Sequence, residues 1–490
     1  MPEKYDTIIV GAGIAGLVCG CYLAKAGLKV LIVERHSMPG GYCTSFRREN
    51  YKFDVGVHYL GSCRQGGQVS TIINELALNI SLLRFCPTDK IILPNRIIYI
   101  RKDPVGTKDE FKRNFFKESK NIDNFFNFIE KKDFLSIYIK IKNLSFSDVL
   151  DNFFTDNKLK SAFSVLLGNI GLPSDEASAL TVITLFREFI LDGGYYPKGG
   201  VQVIPDVLVK KFKDYGGELL LSTPADKILT RNMQVRAIVV NGKESILADY
   251  IVVASDASNA FINLLDTKTD ELSMVKKLSP STSGFAIYLG LKEDISKTIK
   301  DRCTVWFFST YDVNSCYRDP LKNILGKGKA DYLICTFPSL HDDSLASCGR
   351  STMGIFIGVP YRYNNLSFWS SQRDRISKIL LNKAEELLPD LGNLIETKIN
   401  ATPKTFHKFT LNRNGAMYGW SSSMRQIDSN ILSQETSIAG LILAGHWCMH
   451  GLGQGGVSVS AYSGRRAAKM IIKKLEKNNI LYRKGELSNN

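Results

Sequence analysis

Histidine and paired cysteine are what this chain lacks. Six histidines are spread over 490 residues, and the ten cysteines, at positions 19, 21, 43, 63, 86, 303, 316, 335, 348 and 448, contain no Cys-x-x-Cys pair. Neither a zinc site nor a disulfide framework is signalled, and a reducing cytoplasm suits such thiols. Long apolar runs are scarce as well. The one uncharged stretch long enough to resemble a membrane span, residues 7–24, follows Glu3 and Asp6, is interrupted by glycines, and divides into a strand, a turn and a helix. It reads neither as a span nor as a signal peptide, which would need a basic start leading into a Leu-rich core. The chain carries 63 Lys and Arg against 48 Asp and Glu, a formal charge of +15, yet no nucleic-acid-binding motif accompanies the excess.

What is present begins at the first apolar run. Residues 7–10 are β-branched and lead into GAGIAG, from Gly11 to Gly16. Gly11 permits a tight turn, Gly13 lets a pyrophosphate approach the backbone, and Gly16 lets the next helix pack closely on the strand. That helix, expected over 14–26, points the N–H groups of its first residues, Ile14 and Ala15 among them, at the phosphates. Gly27 ends it, residues 28–33 form a second parallel strand, and Glu34 at the strand tip is placed to accept hydrogen bonds from ribose hydroxyls. Glu34 falls 18 residues after Gly16, close to the offset such sites use. The glycine pair Gly40-Gly41 favours FAD over a nicotinamide dinucleotide, because it lets the chain run close under the pyrophosphate and ribityl chain. No second GxGxxG follows a strand further on, so a separate nicotinamide domain is not expected and electrons would pass through one flavin to an unidentified redox partner.

Further along, short strands are expected at 91–93 and 97–100, and mainly helix over 103–172. Residues 101–142 hold 11 Lys or Arg against 7 Asp or Glu, interleaved with Phe111, Phe115, Phe116, Phe125, Phe126, Phe128 and Phe134. Two readings of that mixture stand: amphipathic helices that bury phenylalanine while lysine faces water, or a surface that docks on anionic lipid. A helix over 201–215, a parallel strand over 218–222, a hairpin turning at Asn241-Gly242 and a strand over 250–254 return the chain to the nucleotide-binding sheet. Alternating segments at 284–290 and 332–360 predict a mixed sheet, and 367–388 a helix. At the C-terminal end a buried strand over 441–444 runs into Gly455-Gly456 and a helix over 457–475, whose positive end would face the pyrimidine side of a flavin ring. Cys448 and His450 fall near that ring, and Cys448 reads as a reduced packing residue.

Three blocks, roughly 1–62, 193–258 and 438–470, resemble the family of FAD-dependent phytoene desaturases, carotenoid isomerases and retinol saturases, within the flavin amine oxidase superfamily. The resemblance rests on GAGIAG with Glu34 and Gly40-Gly41, on YKFDVGVHYLG, YPKGGVQVIPDVL and TPADKIL, and on AGHW followed by glycines and SGRRAA. The histidine of FDVGVHY looks most like the retinol-saturase branch. The resemblance implies an α/β protein in which a Rossmann-type FAD-binding domain of the glutathione-reductase kind accompanies a mixed-sheet and helical substrate domain. The corresponding divisions are 1–85, 193–280 and 436–478 for the FAD-binding domain, 86–192 for a helical, membrane-facing insertion, 281–435 for the mixed α/β part, and 479–490 for a polar tail. It further implies that Gly11, Gly13, Gly16 and Glu34 hold the adenosine diphosphate half, with Arg35 and Gly41 beside it, and that Ala225 flanks the adenine. Gly445, Gly455, Gly456 and Val457 would border the ribityl chain and ring. His446 stands where many relatives have an acidic residue for a ribityl hydroxyl.

The implied activity is redox chemistry on carbon–carbon bonds of an apolar isoprenoid or polyene lipid: desaturation, saturation or cis-trans isomerisation. Saturation needs a proton donor opposite the hydride, and His58 and Tyr59 are the candidates, the other reading of His58 being a positioning residue that hydrogen-bonds backbone beside the flavin. A flavin amine oxidase is the enzymatic rival, weakened because Tyr42 follows the glycine pair where those enzymes commonly have arginine. A prenyl carrier of the GDP-dissociation-inhibitor type is the rival of another class.

Overall fold

Two seven-stranded sheets organise the molecule, whose computed structural model describes residues 4–131, 133–360, 366–427, 431–448 and 456–477. In the first sheet the strand Lys4–Val10 lies between Val30–Val33 and Glu244–Val253, parallel to both, with Val10 level with Val33 and Val253. Glu218–Leu220 extends the parallel set beyond Val30–Val33, and Leu441–Leu443 joins it beside Val253. The antiparallel strands Ala225–Arg231 and Gln234–Val240 complete the sheet as a meander leading into Glu244–Val253. Ile8, Ile9, Val30 and Ile32 are wholly buried, because both faces of the sheet are covered. That explains why these strands read as continuous apolar runs instead of alternating ones.

Helices Ile14–Lys25 and Gly456–Lys477 pack on one face at a glycine crossing. A Cβ on Gly464 would lie 2.1 Å from the Ala15 carbonyl oxygen, and one on Gly16 would lie 2.0 Å from that of Gly11. The predicted helices over 14–26, 201–215 and 457–475 are observed as Ile14–Lys25, Val203–Asp214 and Gly456–Lys477.

The second sheet runs in the order Ile395–Ala401, Ser283–Leu291, Ser351–Val359, Tyr332–Thr336, Thr304–Phe308, Asp89–Leu93, Arg96–Ile100. All neighbours are antiparallel except Thr304–Phe308 with Asp89–Leu93. The mixed sheet expected from 284–290 and 332–360 is thus wider than those segments. Thr304–Phe308 and Ile395–Ala401 had no local signal strong enough to mark them, and Asp89–Leu93 enters by pairing with a strand more than two hundred residues away.

Most of the phenylalanines between 101 and 142 pack inward. Phe111, Phe115, Phe125 and Phe126 are buried, and Phe111 stacks on Phe163 at 4.2 Å between ring centroids. Phe116 is the exception at 83% exposed. The following helix, Phe134–Ile141, buries Ile137 and Ile141 but turns Leu135, Tyr138 and Ile139 outward.

Candidate functional site: a glycine cradle and an adjoining cavity

The parallel strands of the first sheet end together at Val10, Val33 and Val253, the edge where α/β sheets bind ligands. Gly11 leaves that edge at φ +107°, donating its N–H to the Val33 carbonyl at 2.9 Å, and Gly13 caps the helix with no side-chain hydrogen bond to the first turn. A Cβ on Gly13 would meet nothing within 4 Å among the described residues, which leaves the space in front of the helix start open to a ligand, as the motif requires. Glu34 is held in place by two backbone donors: Ala12 N–H reaches Oε2 at 2.8 Å and His36 N–H reaches Oε1 at 2.9 Å. Gly40 pairs with Gly13 as an isolated bridge and donates to the Ala12 carbonyl at 2.8 Å, so the Gly40-Gly41 loop lies directly against the turn.

Two residues, one from the YPKGGVQ segment and one from DVGVHYLG, brace this loop. Gln202 accepts from Ser45 N–H at 3.2 Å and donates to the Pro39 carbonyl at 3.2 Å. Asp54, the first residue of the DVGVHYLG phrase, accepts from Ser45 Oγ at 2.6 Å, from Val201 N–H at 3.2 Å and from the Tyr196 hydroxyl. The sequence motifs thus touch one another, and Asp54 and Gln202 are the bracing residues that sequence reasoning passed over.

The other candidate positions fall as follows. Thr223 N–H donates to the Glu34 carbonyl at 2.8 Å, which brings the start of the Ala225 strand to the ribose end. Arg35 turns its guanidinium to the Lys408 carbonyl at 3.1 Å, and His36 reaches the Phe409 carbonyl, so helix Pro403–Thr410 covers this edge. Gly445, at φ +102°, donates to Ser463 Oγ at 2.9 Å and faces Ala15 across the sheet edge. Gly456, at φ +79°, opens the last helix with no atom of the described residues within 4 Å of an added Cβ, and Val457 follows. His446 makes no hydrogen bond among the described residues, and burial lowers its pKa to about 4, leaving a neutral ring. Burial pushes the Cys448 thiol up to about 12, so it stays protonated and unreactive. Gly455 and His450 lie outside the described residues.

Beside Gly456 and Val457 a cavity of about 380 Å³ opens between the DVGVHYLG segment and helix Ala179–Phe189. Leu60, Ile170, Leu185 and Phe189 give it an apolar wall, and His58 and Tyr59 both line it. Burial lowers His58 to about 4 and keeps its imidazole neutral. The Tyr59 hydroxyl donates to both oxygens of Asp89, at 3.0 and 3.1 Å, and Trp306 Nε1 donates to Asp89 Oδ1 at 2.7 Å. Asp89 is fully buried, which raises its pKa to about 7 against the lowering effect of those two donors. Nothing in the Thr-Asp-Lys sequence around Asp89 announced this role.

The open helix start, the clamped acidic residue and the glycine-floored loop fit the pyrophosphate, ribose and ring of an extended dinucleotide of the flavin type. The chain belongs to the family described as flavin containing amine oxidoreductase, whose model matches residues 14–472. It is 24% identical to the all-trans-retinol 13,14-reductase of Danio rerio, across 91% of this chain and 83% of the relative. It is 23% identical to the zeta-carotene-forming phytoene desaturase of Myxococcus xanthus, across 93% and 92%. It is 24% identical to prolycopene isomerase 2 of an Oncidium hybrid cultivar, across 96% and 84%. The fold matches a solved oxidoreductase from Methanosarcina mazei with a TM-score of 0.68 at 17% identity, covering 95% of this chain and all of that one.

Proposed function

We propose that this protein is an FAD-dependent oxidoreductase acting on carbon–carbon bonds of an apolar isoprenoid or polyene lipid. The observation that carries the reading is the apolar cavity opening beside Gly456-Val457 and walled by His58 and Tyr59. Gly11, Gly13, Ile14, Ala15, Gly16, Glu34, Gly40 and Gly41 would hold the adenosine diphosphate half of FAD, and Gly445, His446, Gly456 and Val457 the ribityl chain and ring. FAD, when bound, supplies hydride exchange at its N5. The chain's own residues orient the lipid, exclude water and manage one proton. With Asp89 ionised, the Tyr59 proton is committed to the carboxylate. With Asp89 protonated, the carboxylic acid donates to the Tyr59 oxygen and frees the phenolic proton for a substrate carbon. In desaturation the same proton runs the other way. The three relatives' names span reduction, desaturation and isomerisation of polyenes, which supports the substrate class and leaves the direction of electron flow to experiment.

The reading includes a lipid surface as partner. Leu135 and Ile139, 67% and 63% exposed, and Tyr138 form an apolar outer face, with Lys131, Lys140 and Lys142 exposed around it. That combination suits an anionic bilayer. The helix packs beside Ala179–Phe189, which walls the cavity, so a lipid would have a short path inward. Among the described residues no helix is long and apolar enough to cross a membrane.

The test is the visible spectrum of the FAD-loaded protein under anaerobic conditions with polyenes and amines added in turn. Reoxidation of reduced flavin by a polyene supports a saturase, and bleaching of oxidised flavin by a polyene supports a desaturase. Bleaching by amines alone overturns the proposal in favour of amine oxidation, and a protein with no affinity for FAD overturns it in favour of a lipid carrier.

A further inference from the structure

The carboxyl edge of the first sheet is crossed by a segment that belongs to neither seven-stranded sheet. Residues 402–420 leave the strand Ile395–Ala401, form the helix Pro403–Thr410 and continue through a 3-10 turn at Arg413–Gly415 to Trp420. Along that edge the strands stand in the order Val30–Val33, Lys4–Val10, Glu244–Val253, Leu441–Leu443. The segment meets three of these ends in that order. The Lys408 and Phe409 carbonyls accept from Arg35 and His36, just beyond Val33. Arg413 N–H donates to Asp256, beyond Val253. A Cβ on Gly419 would lie 2.0 Å from the His446 carbonyl oxygen, and Trp420 Nε1 donates to the Trp447 carbonyl at 2.6 Å, both beyond Leu443. Two strand spacings, about 10 Å, separate the first of these ends from the second, which the peptide steps from Phe409 to Arg413 can span. In doing so the chain passes the end of Lys4–Val10, where the GAGIAG turn begins. Tyr42, next to Gly41, donates its hydroxyl to the Ala416 carbonyl at 3.0 Å and ties the segment to the glycine pair.

We propose that residues 402–420 form a strap that completes the dinucleotide site, closing over the bound cofactor and lifting to let it enter or leave, an inference that rests on the FAD reading above. A dinucleotide extended from Glu34 past Gly13 toward Gly445 follows the same strand ends as the strap. A Cβ on Gly13 meets no described atom of the strap within 4 Å, so room for the ligand remains between strap and turn. The strap is fixed at its ends, where Ala401 and Trp420 are buried and Ser281 N–H donates to the Gly419 carbonyl at 2.7 Å. Its middle faces solvent, with Phe409 and Leu411 55% and 37% exposed. That middle is tied to itself. His407 Nδ1 donates to the Asn412 carbonyl at 2.8 Å, and Asn412 Nδ2 to the Ala416 carbonyl at 2.9 Å, so it can move as one piece. Leu411 and Asn414 adopt left-handed φ of +54° and +58°, conformations unfavourable for residues with side chains, so the closed form is held against local strain. Arg35, His36 and Tyr42 reach strap carbonyls by hydrogen bonds that water can replace at small net cost. Lifting Arg413 does not strand Asp256, which keeps the N–H groups of Ser258 and Asn259 at 2.6 and 3.4 Å.

Uptake of FAD by the full-length apoprotein tests this, with the rate followed by flavin fluorescence as the FAD concentration is raised. The uptake rate is expected to level off at the rate of strap opening, and the backbone amides of residues 403–418 to exchange their hydrogens more slowly once FAD is bound. Tyr42→Phe and, separately, His36→Ala are each expected to raise that plateau and to speed FAD release by about twofold to tenfold, the range of one hydrogen bond. The unfolding midpoint of the apoprotein checks that each variant keeps its fold. Uptake that stays proportional to FAD concentration, exchange over 403–418 that FAD leaves unchanged, or rates that neither substitution moves would each overturn the strap. A protein that takes up no FAD would overturn the cofactor reading and the strap together. FAD tightly bound, with proportional uptake and unchanged exchange, would overturn the strap alone.

Discussion

The cradle and the cavity are built by opposite means. Around Gly11–Gly16 and Gly40-Gly41 the surface proposed for the cofactor is mostly backbone, with Glu34 the one charged side chain set against the turn. Around His58, Tyr59 and helix Ala179–Phe189 it is side chain, gathered from segments far apart in sequence. Backbone recognition depends on what a few adjacent glycines allow, so it is encoded locally and fits one cofactor. Side-chain recognition depends on which strands and helices meet, so it can be retuned without disturbing the cradle.

The largest effects should follow from filling glycines in and behind the cradle, and two of them separate fold from ligand. Gly464→Val drives a side chain into the Ala15 carbonyl and should destabilise the protein by on the order of 3 kcal/mol or more, with loss of bound FAD, in a chemical denaturation series. Gly13→Ala meets no atom of the described residues and has an ordinary φ of −69°, so its unfolding midpoint should hold while FAD affinity falls. Equal loss of stability in both would erase the distinction drawn between close packing and ligand space.

On the cavity side the expected effects are smaller and depend on pH. Asp89 has its pKa raised from 3.8 to about 7 by burial, so the folded protein binds more protons than the unfolded chain between those values. Stability contributed by the protonated group is therefore present at low pH and lost as pH rises through about 7. Asp89→Asn should flatten that fall between pH 5 and pH 8, by on the order of 2–4 kcal/mol, and remove the matching step from the pH profile of turnover. An unchanged pH profile in the variant would separate Asp89 from the proton of Tyr59. Smallest of all in stability terms, Leu135→Asp with Ile139→Asp should shift unfolding by less than about 0.5 kcal/mol, because both residues are exposed. The same pair should abolish sedimentation with vesicles containing anionic lipid, and retained sedimentation would remove that helix from the docking surface.

What the sequence disclosed follows the same division. The strand-turn-helix of GAGIAG, the Glu34 tip and the hairpin at Asn241-Gly242 are short-range features, and each appears in the structure where its residues predicted it. Thr304–Phe308 is five residues long and finds its parallel partner only through the fold, and Trp306 meets Asp89 across 217 positions of sequence. Of the two readings of the basic and aromatic stretch from 101 to 142, burial of its phenylalanines holds for most of the rings, because Phe163 and Phe186 stand behind them on other helices.

The crossing of Gly464 over Ala15 also bears on how the chain is made. The sheet begun by the strand at Lys4 gains Leu441–Leu443, on the far side of Glu244–Val253, and the first helix gains its close-packed partner, only after some 430 further residues have been joined. At about 5–20 residues per second that is a wait of roughly 20–90 s on the ribosome, during which the face of the first helix that meets Gly456–Lys477 has no cover. Production of this protein in a new host should therefore depend on holding chaperones and slow cooling more than on the stability of the finished fold.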